Sequence, residues 1–140
     1  MVKTASAVWN NGIKDGSGTI STQSGVLQNV PYGVATRFEG VNGANPEELV
    51  AAAHASCFSM ALSLFLNNNG MNPVKIETTC EITLEKGDTG FSVTKSHLTT
   101  KVDMPGADPA KFQEVAAEAK ANCPISKLLN AEISLDATLA

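Results

Sequence analysis

The sequence predicts an α+β fold in which antiparallel strands surround one long central helix. Three observations lead to this prediction: an apolar segment of helical length after Asn45, alternating strand-like segments on both sides of it, and a second helical stripe before a closing strand. Hydrophobic residues make up 43% of the 140 residues and charged residues 17%, which favours a packed core over disorder. This length fits a single domain that spans residues 1–140.

The first forty residues contain short β-like segments. Thr4–Trp9 and Gly18–Ser24 are expected to pair as a hairpin, because the residues between them are rich in Gly, Asn and Asp. Gly33–Glu39 is expected to form a third strand, which would place Arg37 in a strand.

The long helix carries clear signals at both ends. Asn45 is a good N-cap, Pro46 suits the first helical position, and Glu48 stands where a capping box places its acid. The helix should then run for about 24 residues, or about 36 Å, and stop at Gly70. Its apolar residues cover most of its circumference, so the sequence predicts a central helix that is buried on most faces.

A β-hairpin is expected after this helix. Alternating apolar residues in Ile76–Leu84 indicate a strand with one buried face, and Phe91–Val102 should return as its partner after a Gly-Asp-Thr-Gly turn. Alternating apolar residues also predict a closing strand over residues 133–139.

Two further helices are expected before the closing strand. Asp108 and Pro109 are typical of a helix start, and an apolar stripe at spacings of three and four follows them. This helix should end near Asn122, because Pro124 disfavours helical geometry at the residue before it. Residues 125–129 are expected to form a short helix of their own.

The charge of the chain argues against nucleic-acid partners. The net charge is −4, and the nine lysines and one arginine are scattered rather than gathered in a basic segment. No uninterrupted apolar stretch reaches the roughly 18 to 20 residues that span a bilayer, so no membrane association is expected. The N-terminal residues lack the pattern of a signal peptide, and a cytoplasmic protein is expected.

Three cysteines are the main candidates for chemistry. In a reducing compartment a cysteine serves as a buried thiol, a metal ligand or a redox group. Cys80 lies on the apolar side of an alternating strand and is interpreted as a core residue. Cys57 lies mid-helix, where the helix dipole gives little help, so a reactive Cys57 needs a cation from elsewhere. Cys123 precedes Pro124 and would cap a short helix, a position that lowers the pKa of a thiol.

Arg37 is the only arginine in the chain. A planar, permanently charged guanidinium would stabilise a thiolate and donate hydrogen bonds to a peroxide oxygen; the alternative is an ordinary surface arginine. Glu47 is a candidate to orient this guanidinium. Glu47 and Glu48 would both also suit the first turn of a helix, where the dipole favours acidic side chains.

Other uses of these residues stay open at this point. His54 lies three residues before Cys57 on one helix face, which would suit a thiol hydrolase pair, although no acidic group to orient the histidine is evident. A metal-binding protein would use His54, Cys57 and Cys123, a sparse set for zinc, which takes four ligands or three and a water. A non-catalytic protein that binds a small molecule is the third alternative.

Three segments together carry a family resemblance: GVLQNVPYGVATRFEG, NPEELVAAAHASCFSMALS and ANCPISKLLNAEISLDATL. Through them nearly the whole chain resembles the OsmC/Ohr family of organic hydroperoxide peroxidases, and it looks closest to the OsmC branch. The resemblance implies an OsmC-like fold in an intertwined homodimer with active sites at the interface, and no cofactor is expected. It also implies organic hydroperoxide substrates and a lipoyl-type dithiol as the reductant.

Position by position, the resemblance implies that Cys57 is the peroxidatic cysteine and Cys123 the resolving cysteine. Arg37 would activate the thiolate, and Glu47 would be its acidic partner. Glu47 and Cys57 are ten residues apart on one predicted helix, a rise of about 15 Å that a glutamate side chain cannot cover. We therefore expect a composite site, in which Arg37 and Glu47 act on the Cys57 of another chain; the alternative is that Arg37 spans the gap within one chain.

The residues that follow Cys57 suggest which peroxide is preferred. Phe58, Met60 and Leu62 are apolar and close to Cys57 in sequence. They are expected to lie near the site and to give a pocket that favours organic hydroperoxides over hydrogen peroxide.

Overall fold

The computed structural model describes all 140 residues. It contains four helices and six strands, and the predicted α+β class is confirmed. In chain order they are β1 (Ala5–Asn10), β2 (Ser17–Thr22), β3 (Val30–Tyr32), α1 (Val34–Phe38), α2 (Pro46–Asn68), β4 (Lys75–Gly87), β5 (Gly90–Asp103), α3 (Pro109–Asn122), α4 (Pro124–Leu128) and β6 (Glu132–Leu139). The chain divides into two compact units, Met1–Leu49 and Val50–Ala140, which are described separately. That residues 1–140 form a single domain stays a prediction.

In the first unit, three strands form an antiparallel sheet in the order β1-β2-β3. The predicted opening hairpin is confirmed, because β1 and β2 pair along their whole length. Tyr32 of β3 lies opposite Gly18 of β2, and a Cβ added at Gly18 would come within 2.4 Å of the tyrosine ring. The Trp9 and Tyr32 rings lie 5.5 Å apart. Glycine at position 18 therefore makes room for an aromatic cluster on this sheet.

The segment expected as a third strand, Gly33–Glu39, folds mainly as the helix α1, so that prediction was wrong. Its β-branched residues favour a strand, but local hydrogen bonds decide the conformation. The Thr36 hydroxyl accepts a bond from the Gly33 N–H at 3.0 Å, and the Arg37 N–H donates to the Gly33 carbonyl at 3.2 Å. Arg37 therefore lies in the last turn of a short helix.

In the second unit, the strands form another sheet in the order β4-β5-β6. The predicted hairpin is confirmed, because β4 and β5 pair antiparallel, with one irregularity between Thr83 and Leu84. β6 runs parallel to β5, so the expectation of antiparallel strands alone was wrong. A parallel neighbour needs a long crossover connection, and α3 and α4 supply it between β5 and β6.

The long helix α2 has the boundaries that its end signals predict. The Asn45 side chain accepts a hydrogen bond from the Glu48 N–H at 2.8 Å, and Gly70 has a φ of 71° just after the last turn. By length and composition alone, α2 would suffice to cross a membrane, a test that buried core helices also pass. The expectation that no apolar stretch is long enough to span a bilayer was therefore wrong by this test.

The burial of α2 differs from the prediction. One stripe is fully buried, with its residues four apart: His54, Phe58, Leu62 and Leu66. The three apolar side chains of this stripe pack with residues of β5 and α3, among them Leu98, Val102, Phe112 and Val115, to form the core of the second unit. Met60 and Leu64 are 75% and 58% exposed, so the prediction of burial on most faces was wrong for this chain.

The two helices near the end of the chain follow the prediction closely. Asp108 caps α3 by accepting a hydrogen bond from the Ala110 N–H at 3.1 Å, and α3 ends at Asn122. Cys123 is both the C-cap of α3 and the N-cap of α4. The backbone at this cysteine is therefore fixed from both sides.

Candidate active site

The thiols of Cys57 and Cys123 meet in the second unit. α2 places Cys57 beside its buried stripe, where the thiol is half-buried, whereas Cys123 is fully buried between α3 and α4. The Cys123 side chain lies near enough to raise the pKa of Cys57, and both thiols are free. The structure thus brings together the two cysteines that the sequence singles out, and their catalytic roles stay predictions.

The surroundings of Cys57 do not favour its thiolate. Burial is the main influence and raises the pKa of Cys57, because a buried thiolate loses its hydration. A hydrogen bond from the Ile125 N–H lowers this pKa, and the neighbouring Cys123 raises it again. None of these influences comes from a cation. A reactive Cys57 therefore needs positive charge from another source.

Arg37 and Glu47 form an ion pair within the first unit. The guanidinium Nη2 lies 2.6 Å from Glu47 Oε1, and Nε lies 3.2 Å from Oε1 and 3.1 Å from Oε2. Glu47 stands in the first turn of α2, and Arg37 in the last turn of α1. The predicted pairing of Arg37 with Glu47 is confirmed, and this two-pronged contact fixes the plane of the guanidinium.

An apolar hollow of about 300 Å³ lies beside this ion pair in the first unit. Its lining consists of Trp9, Ile13, Tyr32, Gly33, Val34, Arg37, Phe38 and Pro46. The Arg37 Cζ lies 5.1 Å from the centre of the Phe38 ring, so an aromatic face and a cation adjoin each other here. A hollow of this kind suits a ligand with an apolar body and a polar end.

The residues expected to form such a pocket lie elsewhere. Phe58 and Leu62 are fully buried in the core of the second unit, and Met60 is 75% exposed. The expectation that they line a peroxide pocket was therefore wrong for Phe58 and Leu62, and for Met60 it stays a prediction, because neighbours in sequence on a helix face different directions. For the hollow in the first unit, the available signal in the sequence was the succession of Arg37 and Phe38.

His54 forms a buried polar network with residues that the sequence did not single out. Its Nδ1 lies 2.7 Å from Ser96 Oγ, and its Nε2 lies 2.8 Å from Ser126 Oγ. Ser96 also lies 3.2 Å from the Cys80 sulfur. Burial lowers the pKa of His54, so the imidazole is neutral, and burial raises the pKa of Cys80.

This network bears on the alternative functions. Both ring nitrogens of His54 are occupied by serine hydroxyls, so the geometry gives no support to a hydrolase pair of His54 and Cys57. No group of three or more His, Cys, Asp or Glu side chains is arranged to hold a metal ion. Cys80 packs against the hydrophobic core, in agreement with its interpretation as a core residue.

The family model described as OsmC-like protein matches residues 39–138. The chain belongs to the OsmC-like family. The family resemblance read from the cysteine and arginine segments is therefore confirmed.

Two curated relatives of this OsmC-like chain are similar over most of their length. Peroxiredoxin OsmC of Escherichia coli is 53% identical over 134 residues, which cover 96% of this chain and 94% of the relative. Organic hydroperoxide resistance protein-like 2 of Staphylococcus epidermidis is 34% identical over 134 residues, which cover 92% of this chain and 91% of the relative.

Two solved structures of OsmC-like and organic hydroperoxide resistance proteins are similar to this chain in fold. The organic hydroperoxide resistance protein OhrB of Bacillus subtilis matches with a TM-score of 0.74 and 28% identity, covering 96% of this chain and 97% of that one. The OsmC-like protein of Mycoplasma pneumoniae has a TM-score of 0.78 at 16% identity, a likeness in fold alone. The predicted OsmC-like fold is confirmed.

Proposed function

We propose that this OsmC-like chain is a thiol peroxidase that reduces organic hydroperoxides to alcohols. The observation that carries the proposal is the placement of Cys57 on α2 near Cys123 at the start of α4, close enough for Cys123 to raise the pKa of Cys57. The relatives named as a peroxiredoxin and as organic hydroperoxide resistance proteins support the same reaction class.

The reaction starts at Cys57. Its thiolate attacks the outer oxygen of the hydroperoxide, the O–O bond breaks, and the departing alkoxide takes a proton to become the alcohol. Cys57 is oxidised to a sulfenic acid in this step. The Cys123 thiol then attacks the sulfenic sulfur, which forms a Cys57–Cys123 disulfide and releases water.

A dithiol completes the cycle. Exchange with an external dithiol returns both cysteines to thiols and leaves the donor as a disulfide. We propose a lipoyl-type dithiol as the donor, following the family resemblance, and a cytoplasmic setting for the reaction.

Activation of Cys57 is assigned to Arg37. Burial raises the pKa of Cys57, and no cation among its close influences offsets this effect. Glu47 holds the Arg37 guanidinium in one plane, but Glu47 and Cys57 stand about 15 Å apart along α2. We therefore propose that Arg37 and Glu47 serve the Cys57 of a second copy in a homodimer. The exposed apolar residues Met60 and Leu64 of α2 support such an interface.

The substrate preference is assigned to the hollow beside Arg37. Its apolar lining suits an alkyl or aryl group, and the adjacent guanidinium suits the peroxide oxygens. Organic hydroperoxides gain contacts there that hydrogen peroxide cannot make. We therefore propose a preference for organic hydroperoxides.

Peroxide consumption with a dihydrolipoyl donor tests the proposal. The wild type should consume an alkyl hydroperoxide catalytically, and Cys57→Ser should have no activity. Cys123→Ser should react once and fail to recycle. Cys80→Ser is the matched control and should behave as the wild type, since the proposed reaction does not use Cys80 and serine keeps a polar atom near Ser96. Full activity of Cys57→Ser would overturn the proposed function.

A further inference from the structure

His54 is a fully buried ionisable side chain that the proposed peroxidase reaction does not use. It lies on α2 one turn before Cys57. Its two ring nitrogens join elements on opposite sides of the imidazole: Ser96 on β5 at 2.7 Å and Ser126 on α4 at 2.8 Å. The side chain therefore ties the short helix α4 to α2 and to the sheet.

α4 carries two groups that act on Cys57. Its N-cap is Cys123, and both the Cys123 side chain and the Ile125 N–H lie near enough to Cys57 to shift the pKa of its thiol, the first upward and the second downward. Both groups lie within three residues of Ser126. A shift of α4 would therefore move the second thiol and the N–H donor together.

A helix of five residues has little stability of its own. Leu128 at its end is 74% exposed, so the helix is held by its buried N-cap Cys123, by the partly buried Ile125 and by the link from Ser126 to His54. The buried histidine is thus one of three restraints on where α4 lies, and the one that acts beyond Ile125.

We propose that His54 is a positioning residue, which holds α4 through Ser126 and so sets the distance of the Cys123 thiol and the Ile125 N–H from Cys57. This inference rests on the proposed function for its biological meaning, since it concerns the step in which Cys123 closes the disulfide. His54 touches neither peroxide nor a reacting sulfur in this account.

The chemistry of the imidazole suits this task. A neutral imidazole has one donor and one acceptor nitrogen, and a serine hydroxyl can serve either one. Ser96 is itself fully buried and is held further by the Cys80 sulfur. Every side-chain polar atom in the buried interior has a hydrogen-bond partner. Loss of the Ser126 hydroxyl would leave Nε2 without its partner and α4 without its polar anchor.

Two measurements that need no peroxide test the proposal. The first is the pH dependence of Cys57 alkylation by iodoacetamide, in a Cys80→Ser, Cys123→Ser background in which only Cys57 reacts. The second is the equilibrium of the Cys57–Cys123 disulfide with glutathione, which reports how well Cys123 is placed. Ser126→Ala should slow alkylation near pH 8 about tenfold and lower the effective concentration of Cys123 about tenfold.

Matched variants separate positioning from general loosening. Ser59→Ala removes a comparable link, the 2.9 Å bond from α2 to Thr78 of β4, and should leave both readouts within about twofold of the wild type. Ser126→Thr keeps a hydroxyl and should return the alkylation rate and the disulfide equilibrium to wild-type values. Glutamine can place its amide where Nε2 lies, whereas the shorter asparagine reaches only toward Ser96. Both readouts should therefore stay closer to the wild type in His54→Gln than in His54→Asn.

The outcomes are distinct. Equal values for Ser126→Ala and Ser59→Ala in both measurements would overturn the positioning role, as would identical behaviour of His54→Gln and His54→Asn. Alanine is a good helix former, so Ser126→Ala should not disrupt α4 by propensity. A wild type that forms the disulfide but consumes no organic hydroperoxide would refute the proposed function and leave the positioning result readable.

Discussion

The Arg37 guanidinium and the Glu47 carboxylate form a two-pronged ion pair, with Nη2 2.6 Å from Oε1 and Nε 3.1 Å from Oε2. The Arg37 side chain is 36% exposed, so water screens the pair and it adds little to the stability of the fold. Its value lies in orientation, because a guanidinium bonded along one edge presents its remaining N–H groups in a fixed direction.

Loss of this orientation should slow peroxide reduction. Glu47→Gln leaves Arg37 charged but removes the ionic acceptor, and we expect kcat/KM for an alkyl hydroperoxide to fall about tenfold. Glu48→Gln alters the same helical turn without touching the Arg37 contact and serves as the control. Equal rates for the two variants would show that Glu47 has no part in activation.

The stability of the protein should depend on His54 below neutral pH. Burial lowers the pKa of His54 below its ordinary 6.5. Just below pH 6.5 the histidine is therefore protonated in the unfolded state and neutral in the folded state. The stabilising contribution of neutral His54 is therefore fully present above pH 6.5. It is lost as the pH falls through the lowered pKa of His54 in the folded state.

Urea unfolding between pH 7.5 and 5 measures this effect. The wild type should lose stability as the pH falls, and His54→Gln should flatten part of that slope. His97→Gln is the matched control, because His97 lies on the partly exposed face of the sheet. An unchanged slope in His54→Gln would contradict the assignment.

The hollow beside Arg37 should decide which peroxide is preferred. Val34→Trp would fill part of its volume, and we expect kcat/KM for a bulky aryl-alkyl hydroperoxide to fall about tenfold while hydrogen peroxide stays within about twofold. Val41→Trp, at a position that is 53% exposed and outside the lining, is the control. A parallel loss for both peroxides in Val34→Trp would argue against a selective pocket.

The exposed face of α2 tests the homodimer. Met60 is 75% exposed, so Met60→Asp should leave the chain folded while disrupting an interface that covers this face. Light scattering after gel filtration should then report monomers, and peroxidase activity should be lost with the dimer. Val74→Asp changes another apolar side chain, 72% exposed, and should have neither effect. A fully active monomer would contradict the composite site.

Much of the fold could be predicted from local sequence. Asn45 and Gly70 mark the ends of α2 because caps depend on a few adjacent residues. The α1 segment was missed, since its β-branched residues resemble a strand and only the hydroxyl of Thr36 reveals the tight turn. The parallel direction of β6 follows from how α3 and α4 cross the sheet, which no alternation pattern records.

The candidate site also contains some residues that could be predicted from the sequence and others that could not. Cys57, Cys123 and Arg37 stand out by residue type and by neighbours such as Pro124. Ser96 and Ser126, in contrast, are ordinary serines far from His54 in sequence, and only tertiary packing brings them to its ring nitrogens. The exposed side of α2 could not be predicted either, because apolar composition does not say which chain covers it.

Mass spectrometry after one equivalent of organic hydroperoxide tests the central claim most directly. The wild type should contain a Cys57–Cys123 disulfide and a free Cys80, and Cys123→Ser should retain a sulfenic acid on Cys57 that dimedone traps. Oxidation that stays on Cys123 or Cys80 while Cys57 is unmodified would contradict the account.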